Sequence, residues 1–165
     1  MDNWNYKPSD ELYLKYKDVY DNPKYFNQVT GDPIYPGTNG FTNGKYTIET
    51  MHPGTIIDRY GSNGNGQYFS PVGTSYGERA LPPFMETQPY TQYEILKPFD
   101  VQSGTVAPFE VKTGSIASWF DQPGGGIQYF SEGTITVLDE ITGQLIEVKA
   151  TVENLVKYGF LKELK

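Results

Sequence analysis

The chain has no cysteine, a single histidine and no long apolar run, and each absence excludes a class of function. Without cysteine it has no disulfide, no thiol nucleophile and no thiolate-bound zinc. The lone histidine, His52, gives no imidazole cluster for a metal and no evident serine partner for nucleophilic catalysis. Without about 18 consecutive apolar residues no membrane-spanning helix is predicted, and we expect any export signal to lie outside these residues.

Positive charge is also scarce, whereas aromatic side chains are abundant. The chain has 13 Lys and Arg against 20 Asp and Glu, a formal net charge of -7. Nucleic-acid binding requires clustered basic residues, so we expect no nucleic-acid partner and no membrane insertion. The length of 165 residues predicts one domain, and the 14 Tyr, 9 Phe and 2 Trp predict an aromatic core. Nothing in the sequence requires more than a monomer.

The order of sequence patterns predicts an α+β fold, a single domain with a mainly antiparallel β-sheet core and flanking N- and C-terminal helices. Ser9 is placed to cap the first helix, and Thr151 to cap a last helix that continues past Phe160. Short alternating segments between them predict strands, with the clearest hairpin at 133–148. We interpret residues 1–44 as an N-terminal helix and loop-rich segment that packs on or leads into a domain covering 45–165.

Two of the three stretches with candidate site residues contain an arginine. In "DRYGSNGNGQYF", Arg59 precedes a glycine and asparagine turn whose backbone N–H groups suit an anion, although composition alone favours a plain hairpin turn with a surface arginine. In "GERALPPF", Arg79 stands before a stiff proline pair that can fix a phosphate-binding guanidinium. The simpler alternative for Arg79 is an ion pair with Glu78 or another acid.

The third stretch is "WFDQPGGGIQYF", residues 119–130. Its three consecutive glycines leave room, which we interpret as a slot for a flat ligand. Gln128 stands among apolar neighbours, so it is either a buried structural amide or a group that orients a ligand. Asp58 and Asp121 adjoin these stretches, but no close pair of acids indicates a glycoside hydrolase.

The order of these motifs resembles the family of the tuberculosis necrotizing toxin. The segments that carry the likeness are "PGTIIDRYG", "QYFSPVGTSYGERALPP", "WFDQPGGGIQY" and the closing "VENLVKYGFLKEL", and together they cover roughly residues 45–165. Members of that family cleave NAD+ and NADP+ to nicotinamide and ADP-ribose. The resemblance therefore implies a glycohydrolase that takes the dinucleotide as substrate and needs no cofactor.

The same resemblance assigns roles to particular residues and implies no metal site. The implied catalytic residues are Gln128, Arg59 and Tyr68, and the implied substrate-binding residues are Arg79, Tyr60, Gly125 and Gly126. The family's founding member also uses a histidine after the Leu-Pro-Pro motif, whereas this chain has no histidine after His52.

The resemblance also implies a biological setting, and two alternative functions stay open. The setting is a toxin module of a larger secreted effector that acts in the cytoplasm of a target cell and has a cognate immunity protein as inhibitor. The alternatives are an ADP-ribosyltransferase or cyclase with the same pocket, and a carbohydrate- or peptide-binding module that presents tyrosines. We favour hydrolysis over transfer, because the neutral amide of Gln128 cannot activate an acceptor as a glutamate does.

Overall fold

A computed structural model describes the whole chain except Tyr6, Asn63, residues 97–108, Glu140 and Lys165. The described residues form two compact units. The first unit comprises 1–45, 74–88 and 115–127, and the second comprises 46–73, 89–114 and 128–165. Among the described residues, no helix has the length and apolar character needed to cross a bilayer.

The strands form one large sheet and one two-stranded sheet. They are β1 (Thr47–Thr50), β2 (Ile56–Tyr60), β3 (Tyr68–Pro71), β4 (Tyr90–Ile95), β5 (Glu110–Ser115), β6 (Ile127–Phe130), β7 (Thr134–Leu138), β8 (Leu145–Lys149) and β9 (Leu161–Leu164). The large sheet has the order β1-β5-β6-β3-β2-β4-β9, and β7 pairs with β8. The predicted α+β fold with a mainly antiparallel sheet is confirmed.

The second unit has an apolar core that the strand periodicity explains. Alternate residues of the strands point to one side, where they meet the helix α3 (Val152–Lys157). The fully buried members of this core include Ile57, Tyr93, Ile95, Val152, Leu155 and Leu161. The predicted hairpin is present, with Leu138 opposite Leu145. Its residue Glu140 lies outside the described residues. The parts of the predicted strands that fall on 97–108 lie outside them as well.

The C-terminal helix is shorter than the sequence predicts. Thr151 caps it as expected, accepting a hydrogen bond from the backbone N–H of Asn154. It ends at Lys157, because Gly159 adopts a left-handed conformation with φ of 80°. The prediction that the helix continues past Phe160 is wrong, since the residues that follow form β9 and pair with β4.

The first unit begins with two short helices, α1 (Asp10–Lys15) and α2 (Lys17–Tyr20). Ser9 caps α1 as predicted, accepting from the N–H of Leu12. Tyr16 interrupts the predicted single helix with φ of -119° and ψ of 30°. A hydrophobic cluster of four aromatic residues and one valine forms the core of the unit, and its buried members are Trp4, Val19, Tyr20, Phe26 and Phe120.

Tyr20 is buried in that cluster. Its hydroxyl has no hydrogen-bond partner among the described residues, and burial raises the pKa of Tyr20 to about 12. We therefore expect Tyr20→Phe to raise the free energy of unfolding by about 1 kcal/mol, because the change removes a desolvated, unpaired group. Denaturant titration measures this. The matched control is Tyr13→Phe, which removes a hydroxyl that donates to Asp21 Oδ1 at 2.7 Å. If Tyr20→Phe instead lowers the free energy of unfolding relative to wild type, the Tyr20 hydroxyl has a hydrogen-bond partner in solution and the prediction is wrong.

Candidate functional site

One face of the large sheet carries a row of four aromatic side chains, one on each of β4, β2, β3 and β6. Tyr90 is paired with Tyr60, and their ring centroids are 5.1 Å apart. Tyr68 is paired with Phe130, and their rings stack with centroids 4.4 Å apart and planes within 5°. Tyr90 and Tyr68 are exposed, at 43% and 41% of their surface. The row therefore presents aromatic surface on which a planar ring can stack.

A row of polar side chains lies beside the aromatic row on the same face. On each strand the polar residue is two positions from the aromatic one, and residues two apart share a face. From β4 to β6 the row consists of Gln92, Asp58, Ser70 and Gln128, with Asp58 directly opposite both Gln92 and Ser70. Asp58, Ser70 and Gln128 are at most 8% exposed. This face thus places buried polar groups next to ring surfaces, the composition expected of a small-molecule site.

Hydrogen bonds connect the two rows at Asp58. The hydroxyl of Tyr90 donates to Asp58 Oδ2 at 2.6 Å, and the backbone N–H of Gly73 donates to the same oxygen at 3.3 Å. Gln92 Nε2 donates in turn to the Tyr90 hydroxyl at 3.2 Å. These contacts fix the position of the Tyr90 ring in the aromatic row.

Gln128 and Tyr68 are both on this face. The structure brings them together because each is on the same side of paired strands, Gln128 two residues before Phe130, which stacks on Tyr68. The carboxamide of Gln128 has both donor and acceptor atoms. Burial raises the pKa of the Tyr68 hydroxyl, so this group is neutral and able to donate near pH 7.

Arg59 is on the opposite face of the sheet from Gln128. It alternates with Asp58 and Tyr60 along β2, and its guanidinium lies over the ring of Phe69, with Cζ 5.9 Å from the ring centroid. A methyl group added at Gly66 would lie 1.5 Å from Arg59 Nη1, so this glycine leaves the space that the guanidinium fills. The sequence left open an anion-binding turn or a plain hairpin turn here, and the structure shows Gly66 of that turn packed against the arginine.

The guanidinium of Arg59 is desolvated, and much of its donor set has no acceptor within the described part of the chain. Nε and Nη1 are buried and have no hydrogen-bond partner among the described residues. Burial lowers the pKa of Arg59, since desolvation penalises the charged form. A buried cation with unused donors is unfavourable unless a ligand anion completes it.

Arg79 belongs to the first unit, where its side chain forms hydrogen bonds within its own loop. It is 6% exposed, and its Nε and Nη2 both donate to the carbonyl of Thr74, at 3.1 and 2.8 Å. The next residue, Ala80, has φ of 47°, so the chain turns sharply after the guanidinium. The structure thus gives Arg79 an intraloop role that neither sequence interpretation anticipated.

The triple glycine makes room for the protein's own backbone at two of its three positions. A Cβ at Gly124 would lie 2.7 Å from the carbonyl oxygens of Ile116 and Ala117, and one at Gly126 would lie 3.0 Å from that of Glu78. Only Gly125 faces open space, with φ of 87°. Close backbone packing therefore accounts for glycine at 124 and 126, and the assignment of Gly125 and Gly126 to substrate binding stays a prediction.

The glycines hold the turn that carries Arg79. The N–H of Gly124 donates to the carbonyl of Gly77, and that of Gly126 donates to the carbonyl of Glu78, both at 3.1 Å. These carbonyls belong to the 3₁₀ turn Gly77–Arg79. The "PGGG" and "GERALPP" motifs are therefore parts of one hydrogen-bonded substructure within the first unit.

Comparison with known proteins agrees with this fold. A curated relative, the conidial surface nicotinamide adenine dinucleotide glycohydrolase nadA of Aspergillus fumigatus, is 36% identical over an alignment of 111 positions that covers 60% of this chain and 43% of the relative. The chain thus spans less than half the length of that relative. The solved structure of tuberculosis necrotizing toxin complexed with its immunity factor IFT covers 83% of this chain and 66% of its own, with a TM-score of 0.56 and 24% identity, and shows the same fold.

The family assignment follows from the match along the chain. The family model described as tuberculosis necrotizing toxin matches residues 50–164, which include both rows of the sheet, Arg59, Arg79 and the triple glycine. The resemblance inferred from the order of motifs is thereby confirmed. Because the family model matches well over half of the length of this chain, the chain belongs to the tuberculosis necrotizing toxin family.

Proposed function

We propose that the chain is an NAD(P)+ glycohydrolase that hydrolyses the bond between the nicotinamide nitrogen and ribose C1′. The observation that carries the proposal is the sheet face on which the aromatic row adjoins the buried polar row that ends in Gln128. Family membership and a relative named for this activity support it.

The reaction needs none of the usual strong acids or nucleophiles. Nicotinamide in NAD+ is a cation, so it leaves as a neutral molecule when the C1′–N bond breaks and takes both bonding electrons. Water adds its oxygen to the oxocarbenium-like C1′ and releases a proton, giving ADP-ribose. The protein has to hold the dinucleotide, stabilise the ribosyl cation and admit water to one face.

The sheet face supplies groups suited to these tasks. The ring of Tyr68, supported by stacking on Phe130, offers a surface for the nicotinamide, and Tyr60 extends it. The Gln128 carboxamide is placed to orient a ribose hydroxyl or the attacking water, since it offers a donor and an acceptor. The buried carboxylate of Asp58 adds negative potential on the face where positive charge develops.

The pyrophosphate is assigned to Arg59. A ligand that touches both faces passes the end of the sheet, where β2 ends at Tyr60 and β3 begins at Tyr68. Arg59 precedes that end by one residue, and its N–H groups that have no partner in the described ranges are suited to phosphate oxygens. The net charge of -7 does not oppose this, because contact distances decide the local field.

Incubation of the purified chain with NAD+ tests the proposal directly. We expect stoichiometric nicotinamide and ADP-ribose without any added acceptor, and the same with NADP+ and phosphorylated ADP-ribose. A transferase would release nicotinamide chiefly when an acceptor is present, a cyclase would yield a cyclised product, and a carbohydrate- or peptide-binding module would release none. The absence of free nicotinamide contradicts the proposal.

Arg79 is proposed as a second substrate-binding arginine. Arg79→Lys is expected to raise the KM for NAD+ by about tenfold, because a point charge replaces a planar donor fork. A thermal melt accompanies the kinetics, since a lysine cannot make both hydrogen bonds to the Thr74 carbonyl and we also expect some loss of stability. An unchanged KM together with a lowered Tm would assign Arg79 a purely structural role.

The toxin setting supplies the proposed partner and place of action. The structural relative is a toxin complexed with its immunity factor. We propose that this chain is likewise a module of a larger secreted effector, that it acts on the dinucleotide pool in the cytoplasm of a target cell, and that a cognate immunity protein inhibits it. Co-expression with a candidate immunity protein should abolish growth arrest in cells that express the chain.

A further inference from the structure

We propose that residues 1–45, here called the N-terminal brace, hold the loop 115–127 in the conformation that positions the triple glycine and Arg79. The whole brace precedes the span matched by the family model, yet it belongs to the same compact unit as 74–88 and 115–127. The effect on substrate binding rests on the proposed function, whereas the effect on the loop does not.

Polar contacts tie the brace to the loop at two places. The backbone N–H of Ala117 donates to the carbonyl of Gly40 at 2.8 Å. The indole N–H of Trp119 donates to the carbonyl of Ile34 at 2.6 Å. Both bonds connect residues more than seventy positions apart, so they restrict the loop in a way that local sequence cannot.

Aromatic rings of the brace surround Phe120. Tyr25 and Phe26 contact its ring with centroids 5.6 and 5.9 Å away, and Tyr35 meets it edge-on at 5.8 Å. Tyr25 also packs edge-on against Trp119, at 5.5 Å. Phe120 is 1% exposed as a result, so the apolar anchor of the loop is built largely from brace residues.

This anchor holds the backbone in an unfavourable conformation. Phe120 and Asp121 have φ of 51° and 58°, the left-handed region that non-glycine residues seldom adopt. Each such residue costs on the order of 1 kcal/mol and persists only where surrounding contacts enforce it. The contacts around Phe120 supply that enforcement, so weakening them should let the bend relax.

The bend is upstream of the hydrogen bonds that hold the Arg79 turn. Gly124 and Gly126 donate to the carbonyls of Gly77 and Glu78, and Gly125 donates to that of Ile116 at 2.8 Å. If the backbone at Phe120 relaxes, the hydrogen bonds of the three glycine amides should therefore weaken first, and the turn that carries Arg79 should loosen as a result. The brace is thus a positioning element, since it acts through the loop.

Amide hydrogen exchange in the full chain without ligand tests the brace independently of activity. Tyr25→Ala removes two ring contacts, and we expect exchange at the amides of 124–126 to accelerate about tenfold. Tyr25→Phe keeps the ring and should leave the rates at the wild-type level. Tyr35→Ala, at a residue 58% exposed, is the second variant and should accelerate the same amides by a smaller factor. The amides of β2 and β4 should stay unchanged in all three variants.

A matched control removes a contact of the brace that does not reach Phe120. Lys15 Nζ pairs with Glu86 Oε1 at 2.6 Å, and Lys15 is 58% exposed. Lys15→Ala should leave the exchange of 124–126 unchanged, because exposed ion pairs contribute little. Equal acceleration by Lys15→Ala, or no acceleration in either tyrosine-to-alanine variant, would overturn the brace.

Kinetics then test the link to the substrate. In Tyr25→Ala the KM for NAD+ should rise about fivefold while kcat stays within twofold, and Tyr25→Phe should restore the KM. Faster exchange with an unchanged KM would overturn the link between the loop and substrate binding. If even the wild-type chain releases no nicotinamide, the proposed function fails, and the exchange rates still decide whether the brace holds the loop.

Discussion

Gln128→Ala should lower nicotinamide release by about a thousandfold or more, the scale seen when an oriented hydrogen-bonding group at a reaction centre is removed. The amide lies at the end of the buried polar row and beside the stacked pair of Tyr68 and Phe130. Loss of one buried amide should cost about 1–3 kcal/mol of stability, and the Tm should therefore fall by only a few degrees. Steady-state nicotinamide release and a thermal melt on the same preparation measure both effects.

The control for this variant is another glutamine of the same row. Gln92 is on β4, three strand spacings or about 14 Å from Gln128 on the same face, and it contacts the Tyr90 hydroxyl. Gln92→Ala should keep turnover within a few fold of wild type. If Gln128→Ala retains turnover, the carboxamide has no part in the reaction, and the interpretation of Gln128 as a buried structural amide is correct.

Local sequence rules predicted the starts of α1 and α3 and most of the strands. Ser9 and Thr151 cap helices as expected, because a capping hydroxyl accepts a hydrogen bond from the backbone N–H only three residues later in the sequence. The end of the last helix was predicted wrongly, since the amphipathic spacing of the helix continues past Gly159. The left-handed glycine and the pairing of β9 with β4 decide that end, and strand pairing is a long-range contact.

The candidate site was predictable in residue type but not in arrangement. The side-chain alternation that puts Gln128 and Tyr68 on one face and Arg59 on the other depends on the register of β2, β3 and β6. Strand β6 itself was missed, because three glycines before Ile127 hide its alternating pattern. The aromatic row was missed as well. Its members are on four strands that no sequence spacing relates, although the excess of tyrosine was a signal that such a surface exists.

The triple glycine shows the same limit in a single motif. Three consecutive glycines indicate that some other group packs closely against the backbone, but the sequence does not identify that group. In the structure the partners are backbone carbonyls of residues 77–78 and 116–117 for two of the glycines. A glycine-rich stretch thus predicts tight packing reliably, whereas the identity of what packs there requires the tertiary structure.

Arg59→Met should lower kcat/KM strongly while leaving the protein as stable as wild type or more stable. The guanidinium is desolvated over Phe69 with Nε and Nη1 unused among the described residues, so the folded protein carries a charge that it does not pair there. Replacing a buried charge by an apolar side chain of similar length is often neutral or stabilising, by about 1–3 kcal/mol. Loss of the guanidinium that binds the pyrophosphate should lower kcat/KM by about a hundredfold or more. Denaturant titration and initial rates measure the two effects.

Gly66→Ala provides a second way to displace the same guanidinium while the arginine remains. The added methyl would overlap Nη1, so the side chain must move, whereas the Gly66 carbonyl can still accept from the N–H of Val152. We expect reduced turnover with Arg59 present, and weaker stabilisation of the fold by added ADP-ribose in both variants than in wild type. If Arg59→Met instead lowers the free energy of unfolding by several kcal/mol and ADP-ribose stabilises both variants as it does wild type, Arg59 holds the turn against the sheet and does not bind the dinucleotide.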